Sequence, residues 1–138
     1  MNKEPNAPTR RDIAPYAITI FWGAFLLFLV QPLIGKFILP WFGGTPGVWT
    51  TCLLFFQCVL LAGYAYAHCL NYFLSVRKQV MVHSVLLFLV LITLPITPSD
   101  LLKPDGSESP TVAILILLSL SIGLPYLVLS ATGPLVQA

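Results

Sequence analysis

The run Gly47-Val48-Trp49-Thr50-Thr51-Cys52-Leu53-Leu54-Phe55-Phe56-Gln57-Cys58-Val59-Leu60-Leu61-Ala62-Gly63-Tyr64-Ala65-Tyr66-Ala67-His68-Cys69-Leu70 holds 24 residues and not one Asp, Glu, Lys or Arg. Wound as a helix at about 1.5 Å per residue it is roughly 36 Å long, enough to cross a hydrocarbon core of about 30 Å. It lacks the ten-residue apolar/polar alternation of a membrane barrel strand, so the period points to helix.

Outward from this run the reading repeats. Uncharged apolar stretches cover about 14–35, 47–70 and 79–97, and a fourth begins near Thr111 and reaches about 132. Between Ile13 and Ser99 the only charged residues are Lys36, Arg77 and Lys78. The 138-residue chain has 7 Lys+Arg and 5 Asp+Glu, 9% charged, with 57% hydrophobic residues and a mean hydropathy of +0.89. A soluble domain carries about 25% charged residues. A soluble domain, a disordered chain and a collagen-like chain are therefore excluded, and a net charge of +2 without a basic run longer than two argues against nucleic-acid binding. The expected fold is all-α: a polytopic membrane protein with four transmembrane helices behind a tail of residues 1–13.

The breaks are chemically legible. Leu39-Pro40-Trp41-Phe42-Gly43-Gly44-Thr45-Pro46-Gly47 carries the prolines and glycines of a turn and the aromatic rings of a membrane interface. Asn71 to Lys78 is short enough to join antiparallel neighbours. Pro98 to Pro110 holds Asp100, Lys103, Asp105 and Glu108 and reads as a wet turn. Cytoplasmic loops retain Lys and Arg. With four spans, Lys3, Arg10, Arg11, Arg77 and Lys78 fall on one side and Lys36 and Lys103 on the other, which places the N-terminus inside. Thr9-Arg10-Arg11 before an apolar run is also what a signal peptide presents, but the run is longer than an h-region and no small-x-small cleavage site closes it. After Glu108 come 30 uncharged residues, about 45 Å as helix, so the fourth span is expected to kink or break at Gly123-Leu124-Pro125 and to end at Gly133-Pro134. With no polar flank after that, the chain reads as the front of a longer protein.

Candidate residues are those that a bilayer makes expensive. Gln57, near the middle of the second span, is expected to face protein and pair across helices. Lys36 ends the first span after Gln31-Pro32; its ammonium either snorkels to the interface or, if Pro32 breaks the helix, faces a cavity for an anionic ligand. Gly47, Thr51, Cys58, Ala62, Gly63 and Ala65 set small side chains at helical spacing for close packing, which makes the second span the centre of the bundle. Cys52, Cys58 and Cys69 read as packing residues, the last two being too far apart along the axis for a disulfide. His68 and His83 stand at similar distances from the loop near Val76, an arrangement a haem or chlorophyll site can use; the competing reading is ordinary hydrogen bonding near the interface. No catalytic set, phosphate-binding loop or metal motif is present.

The pattern Gln31-Pro32-Leu33-Ile34-Gly35-Lys36, Pro40-Trp41-Phe42-Gly43-Gly44 and Gly63-Tyr64-Ala65-Tyr66-Ala67-His68 resembles the start of bacterial membrane-bound spermidine-synthase-like proteins, fusions of a major-facilitator-like membrane half with a spermidine synthase domain. Leu129-Ser130-Ala131-Thr132-Gly133-Pro134-Leu135 is similar to that family's continuation after its fourth span. The resemblance covers about 20–70 closely and 111–138 loosely. It implies a soluble C-terminal domain that binds decarboxylated S-adenosylmethionine, of which nothing is contained in this sequence, so no catalytic residue carries over. Lys36, Trp41, Gln57 and His68 match the membrane motif.

The expected function is thus a non-catalytic module of the bacterial inner membrane, with an amphiphilic pocket near Lys36, Gln31, Gln57 and Trp41. Its expected partners are the lipid bilayer and either other membrane subunits or its own C-terminal domain. A rival of another class is an accessory subunit packed on a respiratory or photosynthetic complex. A polyamine transporter is the weakest reading, because no intramembrane carboxylate is available to hold a polycation.

Overall fold

The computed structural model describes residues 10–94 and 109–137, and every regular element within them is helical. Helix α1 spans Arg10–Phe42, α2 Pro46–Phe73, α3 Val76–Ile92, α4 Pro110–Leu118 and α5 Leu124–Gln137, with a π-helical turn Ser119–Gly123 joining the last two into one rod. Residues 1–9 of the tail and the acidic turn expected around Asp105 lie outside the described residues.

Three of these rods, Ile13–Phe42, Pro46–Phe73 and Pro110–Gln137, are long and apolar enough to cross a membrane. The expected span at 79–97 is instead the 17-residue helix Val76–Ile92. At about 25 Å it falls short of a bilayer core, which needs about 20 residues. Positions 95–97, the expected end of that span, lie outside the described residues.

The first span is longer than its composition predicts. Pro32 and Pro40 both lie inside α1, so neither breaks it, and Lys36 sits within the helix rather than at its end. Burial in the neighbouring turns offsets the cost of each proline. Ile34 and Ile38 are buried in the core, and Trp41 and Phe42 pack against it, which holds the last turns in helical form. The expected nine-residue break shrinks to Gly43, Gly44 and Thr45. Gly43 carries the reversal at φ +78°, a left-handed conformation that suits glycine, and Pro46 opens α2 at its first turn, where no amide hydrogen is needed.

The core gathers where α1 ends, α2 begins and the last rod starts. Ile34 and Ile38 meet Val48, Cys52, Phe55 and Phe56 of α2, Ile114, Leu117 and Leu118 of α4, and Ile122 and Tyr126 beyond them. Helix α2 packs against every other helix, most extensively against α5. There Gly63 lets the two backbones touch: a Cβ built on it collides with Ser130 Oγ and stands 2.9 Å from the Leu127 carbonyl oxygen. Of the other small residues expected to pack, Thr51 is buried but Gly47, Cys58, Ala62 and Ala65 are exposed. The small-residue stripe is therefore split, and only the side that includes Gly63 and Ala67 meets a neighbour.

The last rod bends its rules where the sequence is least regular. Its buried residues include Ile114, Leu118, Ile122, Tyr126 and Ser130, a strict four-residue spacing. In an unbroken α-helix each such step drifts by about 40°, so four steps would carry the row about 160°, nearly half way round the rod. One wider turn at Ser119–Gly123 takes up part of that drift. It also sits directly before Pro125, whose missing amide hydrogen already interrupts the hydrogen-bond ladder. Pro134, by contrast, does not end the helix, which continues to Gln137; Ser130 and Ala131 in the turn before it are buried against the bundle.

Candidate functional site

Two polar constellations lie inside the apolar bundle. In the first, the Gln31 amide nitrogen of α1 donates to the Tyr126 hydroxyl of α5 at 2.8 Å. Tyr126 is 1% exposed, and its ring lies 4.9 Å from that of Phe56. The contact is what a primary amide in a hydrocarbon environment requires, a partner on another helix. It belongs to Gln31, however, and not to Gln57. Gln57 is exposed, on the side of α2 opposite its packed face.

The second constellation joins α2, α3 and α5. His83, on α3, is buried, and its Nε2 lies 3.1 Å from Thr132 Oγ1. The Thr132 hydroxyl spends its one hydrogen on the Val128 carbonyl, at 2.9 Å, so toward the imidazole it can only accept. His83 Nε2 therefore donates, and in the neutral ring Nδ1 is the acceptor. Nδ1 is buried without a partner among the described residues, and so is the hydroxyl of Tyr66, whose ring centroid lies 6.3 Å from the imidazole. A donor lacking an acceptor and an acceptor lacking a donor thus stand in one small region. Beside them, a cavity of about 160 Å³ between α3 and α5 is lined by Gln79, His83, Ser84 and Thr132 among apolar neighbours. Gln79 is held to the α2–α3 link by a bond to the Leu74 carbonyl at 2.8 Å.

The two histidines do not form a ligand pair. Tyr66 faces His83, and His68 comes two positions later, about 200° further round α2. His68 is exposed and lies 6.5 Å, ring to ring, from Tyr72 of its own helix. A bis-histidine haem or chlorophyll site needs both imidazoles on one side, so the expected arrangement is not assembled.

Lys36 and Gln57, expected to share a pocket, stand on different helices. Lys36 is exposed on α1, and Gln57 points away from the other described helices. Trp41 packs half-buried on the core. A larger cavity, of about 320 Å³, opens instead between α1, α2 and α5, lined by Gly23, Ala24, Tyr64, Ser130 and Gln137 with apolar side chains. Sequence reasoning missed Tyr126, Thr132 and Tyr66. Hydroxyls within an apolar run, each with another helix to reach, are the signal that was available.

No protein-family model, no curated protein and no solved structure matches this chain.

Proposed function

We propose that this chain is a non-catalytic membrane module that crosses the bacterial inner membrane four times from a cytoplasmic N-terminus and serves as the membrane half of a spermidine-synthase-like protein. The observation that carries the membrane part of this reading is the set of three rods, Ile13–Phe42, Pro46–Phe73 and Pro110–Gln137, each 28 to 30 residues long; the fourth crossing and the family role rest on the sequence pattern. Polar contacts within the bundle tie helix to helix. Gln31 bonds Tyr126 and His83 bonds Thr132, an arrangement suited to fastening a bundle in lipid. In the four-span reading the 17-residue α3 is the shortest crossing.

The test uses membranes from cells that express the chain. It is expected to stay in the pellet after alkaline carbonate, and an Asp105→Cys variant is expected to react with an impermeant maleimide only from outside. Release by carbonate, or labelling only from the cytoplasm, overturns the reading. Aminopropyl transfer from decarboxylated S-adenosylmethionine should not exceed that of control membranes. Turnover that tracks the chain overturns the non-catalytic part.

One observation favours the second reading, an accessory subunit of a larger complex. Phe21, Trp22 and Phe25 form a cluster of rings on α1, all exposed, and Phe28 beyond them is 79% exposed. Co-purification with a multi-subunit assembly through size exclusion supports it, and migration of the chain alone removes it.

A further inference from the structure

The outer face of α2 carries a continuous row of exposed residues. Thr50, Leu54, Gln57, Leu61, Tyr64 and His68 succeed one another at steps of four and three residues, and all six are exposed, Tyr64 at the edge of the row also lining the cavity between α1, α2 and α5. On a helix turning 100° per residue they fall within a stripe about 80° wide. That stripe lies opposite the face that carries Cys52, Phe56, Gly63 and Ala67 into the bundle. Such alternation is the seam of a left-handed helix pair. Its polar members are not equivalent. The Thr50 hydroxyl already donates to the Pro46 carbonyl at 2.9 Å, and Tyr64 and His68 lie toward one end of the helix. Gln57 stands near the middle of α2 and makes no hydrogen bond among the described residues.

We infer that this seam pairs α2 with α2 of a second copy of the chain, with the Gln57 amides of the two copies bonded to each other. The choice of occupant rests on symmetry and hydrogen-bond complementarity. Copies inserted by the same route share one orientation, so a closed pair has its twofold axis along the membrane normal. The two α2 helices then run parallel, and each residue meets its own counterpart at the same depth. A primary amide carries both donors and an acceptor, so Gln57 complements itself, which an isolated lysine or aspartate at this position would not do. Leu54 and Leu61, 56% and 70% exposed, flank the amide and pack against their own images.

The inference rests on the reading that α2 crosses the membrane, and carbonate extraction of the same samples reports a failure of that reading separately. Single cysteines are placed at Leu54→Cys, Leu61→Cys and, as a control on α1, Phe28→Cys, in a chain lacking Cys52, Cys58 and Cys69, and carbonate-washed membranes are oxidised. The two seam positions are expected to give a product of twice the 15.2 kDa chain mass and Phe28→Cys none. Energy transfer between labelled copies is expected to fall by about 3- to 30-fold in apparent association constant for Gln57→Leu, and to stay within about threefold for Gln57→Asn. Helicity measured on each variant separates loss of pairing from loss of fold. Seam products of another mass assign the face to a different partner, an absence of products assigns it to lipid, and undiminished pairing in Gln57→Leu removes the amide's role; each of these overturns the proposal.

Discussion

Gln31 and Tyr126 stand 95 residues apart along the chain, yet the amide of one donates to the hydroxyl of the other at 2.8 Å, fastening the first helix to the last. Polar bonds between membrane helices contribute about 0.6 to 2 kcal/mol. Tyr126→Phe should lower stability by that amount in SDS unfolding of the chain in mixed micelles. A double-mutant cycle with Gln31→Leu checks it: the two losses should add to more than the loss of the double variant. Strict additivity contradicts the contact.

Tyr66→Phe should behave in the opposite way. The Tyr66 hydroxyl is buried and has no partner among the described residues, and an unsatisfied buried polar group costs about 1 to 3 kcal/mol. Removing it is expected to leave stability unchanged or raise it by about 1 kcal/mol. A loss equal to that of Tyr126→Phe means that this hydroxyl is bonded after all.

Glycine substitutions provide a matched pair on packing. At Gly63 an added methyl meets Ser130 and the Leu127 carbonyl, whereas at Gly23 nothing lies within 4 Å. Gly63→Ala should destabilise by about 1 to 3 kcal/mol through overpacking. Gly23→Ala should be neutral or gain up to about 1 kcal/mol of helix propensity. Thermal melts monitored by circular dichroism decide this, and equal melting temperatures for the two variants contradict the close approach of α2 and α5.

The bulk of this fold can be read from composition, because a bilayer leaves few alternatives for long uncharged runs. What could not be read was rotation. Nothing local distinguishes the inward side of α2 from its outward side: Gln57 and Ala62 look like packing residues by type, and both face out, because α5 docks on Gly63. The prolines misled in the same way. Pro32, Pro40 and Pro134 signal breaks locally, yet burial of Ile38, Ser130 and Ala131 holds the helices together across two of them and next to the third. Of the polar residues singled out from sequence, Gln31 and His83 found partners on other helices. Their partners, Tyr126 and Thr132, lie far off in sequence, where no spacing rule reaches.

Nitrogen NMR of His83 tests the hydrogen accounting around Thr132. The ring proton should reside on Nε2, since Thr132 gives its own hydrogen to Val128. A proton found on Nδ1 in the neutral ring contradicts the assignment. Thr132→Val should release the preference and cost about 0.5 to 1.5 kcal/mol, the usual worth of one hydrogen bond.

The wide turn at Ser119–Gly123 keeps Ile114, Leu118, Ile122 and Tyr126 in a single core cluster. A substitution that restored regular winding there would turn Tyr126 relative to Ile114 and draw it out of line with the amide of Gln31.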